Sequence, residues 1–384
     1  MKYDRKIIYF AEFLYSIPIS LAYFINSSFI SSFTGEKLVG MVYALGAIVS
    51  ILALLHAPKI FRRLGGYKFL LLITFLDALS FLALALAKNT WSAVIVFIFG
   101  ISLNTLIVFS LDEILKIFSK NSVTGKVRGA YIMLSNLSLI LVQLLIYETI
   151  LGKFSYRAIY FTSFLAMMLF LTTSLLTLKN MPDPKYDKIK NLKYVKEYFK
   201  NKNLFRAFGM TFLLQLFYCS MVIYTPIYLY SYLHFSWSQI GAIFAIMLLP
   251  FLFLPISLGK YADKVGERKI LMFGFAVMAF FTLTLFFITQ QTIFVWALLL
   301  FLTRVGAATV EPMNDAYFFK HIKPENEEFI GVYRSASPMA YIIAPLVALI
   351  TFYLVPSFNY IFLVLGALLF YGVYLASTIE KGDI

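Results

Sequence analysis

Twelve stretches of the chain are apolar for about the length that a helix needs to cross a lipid bilayer, roughly 20 residues. They occupy positions 7–33, 38–55, 67–87, 91–111, 130–150, 158–178, 208–232, 240–258, 270–289, 294–318, 336–354 and 360–379 of 384. Within a bilayer each backbone amide and carbonyl needs an internal partner, and a single segment meets that need only as a helix. The expected fold is an all-α membrane protein of twelve transmembrane helices. Composition agrees: 61% of residues are hydrophobic and 14% charged, where soluble domains hold roughly 45–50% and about 25%. The opening MKYDRK leads into the first run without a small-residue cleavage site, so that run reads as a helix and not a removed signal. One cysteine, Cys219, excludes an internal disulfide and a cysteine-rich metal site. His56, His234 and His321 lack the spacing of metal ligands, and no cofactor is expected.

A net charge of +14 could suit nucleic acid, but the placement of the charges argues otherwise. Of the 33 Lys and Arg, 28 lie on one set of alternate linkers and four (Lys37, Lys88, Lys153, Arg157) on the other, with Arg304 inside a run. Basic residues concentrate on the cytoplasmic side of membrane proteins. Both termini are therefore expected in the cytoplasm, and the charge is accounted for without nucleic acid.

The one long polar stretch, 179–206, holds nine basic residues and separates six runs from six. The expected domains are 1–178 and 207–384, joined by a cytoplasmic linker over 179–206. Part of that linker, 190–202, can form a surface helix with Leu192, Val195 and Phe199 on one face, or equally a solvated connector between the two halves. The halves look like copies. An offset of 201 pairs Gly40 with Gly241, Lys59 with Lys260, Gly65 with Gly266 and Lys68 with Lys269; an offset of 202 pairs Gly129 with Gly331 and Tyr131 with Tyr333.

A short polar turn, Gly259-Lys260-Tyr261-Ala262-Asp263-Lys264-Val265-Gly266-Glu267-Arg268-Lys269, separates the eighth and ninth runs. A turn this short must be a tight hairpin at a membrane surface. Gly266 can take the left-handed backbone angles that such a turn needs. The string resembles the signature loop of the major facilitator superfamily, roughly G-x-x-x-D-[RK]-x-G-x-[RK]-[RK]. Gly259, Asp263, Lys264, Gly266, Arg268 and Lys269 fill its named positions. The loop at 58–68 looks like a decayed copy, with Arg62 where Asp263 stands. The resemblance implies two pseudo-symmetric six-helix bundles, with the first, fourth, seventh and tenth helices lining a central cavity. It also implies that the loop acts as a gate through charge contacts of Asp263 and Arg268.

Ionisable groups inside a bilayer are costly, so each is a functional candidate by default. The tenth run holds Arg304 and Glu311, seven apart and so on nearly one face, with Asp315 four further on. Pro312 gives that helix a place to bend. Arg304-Val305-Gly306 loosely resembles the superfamily's R-x-x-x-G element. Glu12 and Asn26 lie on the first run, Asn104 on the fourth, and Gln215 and Tyr224 on the seventh beside Tyr218 and Tyr228. By the resemblance all of these fall on cavity-lining helices. Asp77, on the third run, reads either as a structural hydrogen-bonding group within the first bundle, which is favoured, or as a protonatable residue.

The expected function is secondary active transport of a small solute across the cytoplasmic membrane by alternating access, coupled to protons through Glu311. The chain is expected to be a monomer and not an enzyme. The rivals are an uncoupled facilitator and a lipid-translocating or non-transport protein on the same fold. Acidic groups outnumber Arg304 within the runs, which leans toward neutral or cationic solutes. The fifth run lacks the Gly-Pro element of superfamily antiporters, which weakens an antiport reading.

Overall fold

A computed structural model describes residues 5–117, 133–143, 155–179, 193–254, 266–322, 328–355 and 357–379. Every regular element among them is helical. Among the described residues, eleven helices are long and apolar enough to cross a membrane. The expected fifth span is described only over the shorter helix Met133–Gln143. The chain divides into two compact units, Met1–Asp187 and Lys188–Ile384.

The first unit contains α1 (Arg5–Tyr23), α2 (Asn26–Thr34), α3 (Val39–Leu64), α4 (Gly66–Leu86), α5 (Thr90–Ile117), α6 (Met133–Gln143) and α7 (Tyr156–Thr177). Helix α4 packs between α5 and α7, while α1 lies on α7 and α3 on α5. The first apolar run, expected as one helix, is interrupted between α1 and α2. Ile25 turns back to the Ala22 carbonyl at 3.1 Å, and Tyr160 of α7 donates to Asn26 Oδ1 at 2.8 Å. At one end of the unit the linkers poor in basic residues meet. Thr90 Oγ1 donates to the Phe33 carbonyl at 3.1 Å, and Arg157 Nη2 to that of Ala87 at 3.5 Å.

The second unit contains α8 (Lys193–Lys200), α9 (Lys202–Ile227), α10 (Trp237–Leu248), α11 (residues 250–254), α12 (Glu267–Leu285), α13 (Ile293–His321), α14 (Glu328–Arg334), α15 (Ala336–Leu354) and α16 (Tyr360–Ser377). Helix α9 ends in a single π turn, Tyr228–Tyr232, just after Pro226, whose nitrogen has no hydrogen to give the helical ladder. Helix α12 is held between α13 and α16 by glycines. A Cβ on Gly306 would lie 2.5 Å from the Gly274 carbonyl oxygen, and one on Gly372 would lie 2.3 Å from the Phe275 ring. Small residues let helices in a membrane approach to backbone contact, where packing replaces the hydrophobic drive that lipid removes. Here too the linkers without basic residues are bonded together. Gln291 Nε2 donates to the His234 carbonyl at 2.9 Å, and Asn359 Nδ2 to that of Phe286 at 2.8 Å. The opposite end carries the ion pair of Lys320 with Glu267, at 2.7 Å.

The repeat seen in the sequence reappears in the backbone. Gly65 precedes α4 with φ 80° and ψ 148°, and Gly266 precedes α12 with φ 82° and ψ 148°. The positive φ at Gly266 is the expected one. Its ψ differs: the pair is extended, not left-handed helical, and essentially only glycine adopts it. In the surface helix α8 the buried anchor is Tyr198, while Phe199 is 39% exposed. The Tyr198 ring sits among Phe329, Phe208 and Phe318, with centroids at 5.5, 6.3 and 6.4 Å.

Candidate functional site

Where α9 crosses α13, one tyrosine side chain serves both charged residues expected on the tenth span. Tyr218 donates its hydroxyl to Glu311 Oε2 at 3.0 Å. The Arg304 guanidinium carbon lies 5.4 Å from the centroid of the same ring, and 4.8 Å from that of Phe217. Aromatic faces are electron-rich and attract a cation, most strongly where water is excluded. Arg304 is 3% exposed, whereas Glu311 is exposed. Seven residues of helix separate the two along the axis by about 10 Å. Tyr218 spans that interval, taking the cation on its ring and giving its hydroxyl to the carboxylate. Half-buried Gln215, three residues before Tyr218 on α9, shares its face.

Further along α13 the groups are tied to their neighbours. Asn314 Nδ2 lies 2.6 Å from Thr211 Oγ1, 3.0 Å from the Ala207 carbonyl oxygen and 3.2 Å from the Tyr333 hydroxyl. Tyr333 donates to Asp315 Oδ1 at 2.8 Å, and Arg334 pairs with Asp315 Oδ2 at 3.2 Å. The Tyr333 ring stacks on Phe318 at 4.1 Å. Asp315 thus joins α13 to α14, next to the side chain through which Asn314 joins α13 to α9. Tyr224 stands apart from both groups, buried against Phe352 and Phe358 at 5.6 and 6.2 Å.

In the first unit the candidates gather around α1. The Ser16 hydroxyl lies 3.2 Å from buried Glu12 Oε1 and 3.1 Å from Ser135 Oγ on α6. Tyr15 donates to the backbone carbonyl of Asn104 at 3.2 Å. Asn26 is held by Tyr160, as described. Asp77 is fully enclosed; Ser80 donates to its Oδ1 at 3.1 Å, and its Oδ2 has no hydrogen-bond partner among the described residues. Gly100 makes room for this pair, since a Cβ there would lie 3.2 Å from Ser80 Oγ.

Residues 207–380 match the sequence profile of the Major Facilitator Superfamily. The matched stretch, less than half of the chain, is what is similar to that superfamily. Solved structures of transporters share the chain's fold end to end. The nucleoside transporter NupG superposes with a TM-score of 0.71 at 13% identity, over 97% of this chain and 97% of its own. A bacterial homologue of the human lysosomal transporter Spinster, inward-facing and occupied, gives 0.72 at 13%, over 99% and 97%. The peptide transporter POT in complex with sulfate gives 0.74 at 14%, over 97% and 93%. At such identities the likeness carries the fold. No curated protein sequence matches the chain.

Gly259, Asp263 and Lys264 of the loop that resembles the superfamily signature lie outside the described residues. Its remainder opens α12: Gly266 caps the helix, Glu267 is buried against Lys320, Arg268 is half-buried and Lys269 exposed. Sequence spacing marks Tyr218 only as one of several tyrosines on its span. Asn314 and Arg334 carry no sequence signal of their own. Tyr333 carries one, its pairing with Tyr131 in the internal repeat.

Proposed function

We propose that this multi-pass membrane protein is a secondary transporter, moving a small solute across the cytoplasmic membrane by alternating access, with Glu311 coupling that movement to protons. The observation that carries the reading is the Tyr218 side chain, bonded to Glu311 and lying beneath Arg304. A carboxylate on a membrane span is costly unless it has partners or a task. Among the described residues Glu311 accepts one hydrogen bond, from the neutral Tyr218 hydroxyl at 3.0 Å, a contact that a modest shift of α9 against α13 would break. Each change in that contact, or in the distance to Arg304, alters the free energy of holding a proton on Glu311, which is the requirement for coupling.

The remaining candidates, Glu12, Asn26, Asn104, Gln215, Tyr224 and Asp315, are proposed to line or support the solute path, and the signature loop to gate it. Nucleoside and peptide transporters among the similar structures favour a small polar solute, and the acidic excess within the spans favours a neutral or cationic one. An uncoupled facilitator is the second reading, because the Tyr218–Glu311 bond also serves as a packing tie.

A thermal-shift screen of nucleosides, short peptides and small cations supplies the probe, and uptake in proteoliposomes with and without a proton gradient supplies the test. Glu311→Gln should abolish accumulation driven by the gradient while leaving downhill flux measurable. Accumulation in that variant with unchanged pH dependence would assign coupling elsewhere or leave a facilitator.

A further inference from the structure

The surface made by α8 and the first turn of α9 has no part in the transport reading. Positions 193–206 carry five Lys and Arg against one acidic residue, Glu197. Lys196, Lys200 and Lys202 are exposed. Lys196 and Lys200 are four apart on α8 and so are neighbours on one face. Tyr198, locked among the rings of Phe208, Phe318 and Phe329, fixes which way that face turns. Beside the lysines lie two exposed rings, Phe199 at 39% and Phe205 at 50%, with centroids 6.3 Å apart. Helix α9 begins here and runs directly into the span Lys202–Tyr232.

Exposed aromatic rings beside a cluster of ammonium groups, at the mouth of a membrane span, have a definite chemical complement. Lysines are drawn to the phosphates of an anionic leaflet, and aromatic rings are at home where headgroups meet acyl chains. A free phosphate would satisfy the lysines but offer the two rings no hydrocarbon, and at the start of a membrane span the neighbours of the rings are acyl chains and not nucleobases. We infer that α8 and the first turn of α9 form a docking surface for anionic phospholipid, with Lys196, Lys200 and Lys202 on the phosphate and Phe199 and Phe205 at the acyl boundary.

Native mass spectrometry of the full chain in detergent, titrated with phosphatidylglycerol or phosphatidylcholine, tests this. The wild type should bind phosphatidylglycerol more tightly, and added salt should erode the preference. Lys196→Gln with Lys200→Gln should weaken phosphatidylglycerol roughly 25-fold, about 2 kcal/mol, and leave phosphatidylcholine unchanged. The double Arg variant at the same positions should keep the preference. Phe199→Ala with Phe205→Ala should weaken both lipids. Equal affinity of the wild type for the two lipids would overturn the inference, as would a preference untouched by the Gln pair. Competition by glycerol phosphate as effective as by the intact lipid would also overturn it, in favour of a soluble-anion site.

Discussion

Tyr218 and Glu311, 93 positions apart, are joined by a hydrogen bond of 3.0 Å from the phenol to the carboxylate. That bond links the helix carrying the aromatic rings to the helix carrying both charges. The Arg304 guanidinium lies over the Tyr218 ring, so the cation and the carboxylate contact two ends of one side chain. Any movement of α9 against α13 changes both contacts at once.

The two contacts can be separated by substitution. Tyr218→Phe keeps the ring beneath Arg304 and removes only the hydroxyl. A hydrogen bond to a charged group contributes about 1.5–3 kcal/mol where it is shielded and less where it is exposed. Tyr218→Phe should therefore shift the pH dependence of uptake while leaving the protein folded, and Tyr218→Leu should also loosen Arg304 and lower thermal stability. Identical pH profiles in wild type and Tyr218→Phe would show that the bond has no part in coupling.

Gly306 should tolerate no side chain. A Cβ there would stand 2.5 Å from the Gly274 carbonyl oxygen and 2.6 Å from the Met278 nitrogen, both backbone atoms. Relief requires α12 and α13 to separate, at a cost of about 1–3 kcal/mol or more. Thermal unfolding of Gly306→Ala in detergent should show a clear loss of stability. A melting curve superposing on the wild type would mean that the two helices do not cross this closely.

Much of this architecture is legible in the sequence because a membrane span is a length as well as a composition. The run at 67–87 becomes α4, Gly66–Leu86, with hardly a residue of difference. The interruption between α1 and α2 is not legible. No Gly or Pro marks Phe24–Ile25, and Pro18 sits quietly inside α1. Helical spacing tells that Arg304 and Glu311 share a face, but not which residue of another helix meets them. Tyr218 and Asn314 find partners 93 and 107 positions away, and that pairing is set by how the helices pack. In α8, Tyr198 and Phe199 are adjacent, and only docking against α9, α13 and α14 decides that Tyr198 is the buried one.

Orientation has a direct test. Lys88 and Lys269 are both exposed, on linkers of opposite basic character. In a Cys219→Ala background, a cysteine at position 88 should react with an impermeant thiol reagent applied to intact cells, and one at position 269 only after lysis. The expectation rests on the 28-to-4 division of basic residues between alternate linkers. Labelling at 269 in intact cells would invert the topology.

Gly65 and Gly266 make the last prediction, because one backbone conformation serves both halves of the repeat. Helix α3 ends at Leu64 and α4 starts at Gly66, so Gly65 alone reverses the chain between two spans. With φ near 80° and ψ of 148°, a Cβ would collide with the local backbone whatever space surrounds it. Holding a non-glycine residue in such a region costs about 1–3 kcal/mol. Gly65→Ala and Gly266→Ala should therefore lower thermal stability by similar amounts, although the flanking sequences differ. Gly331→Ala is the control: it lies within α14, nothing stands within 4 Å of its Cβ position, and its φ is not positive. Alanine there should be neutral or stabilise by about 0.5–1 kcal/mol, the helical preference over glycine. Should Gly65→Ala and Gly266→Ala melt like the control, the shared conformation would be incidental to the repeat and not a requirement of the turn.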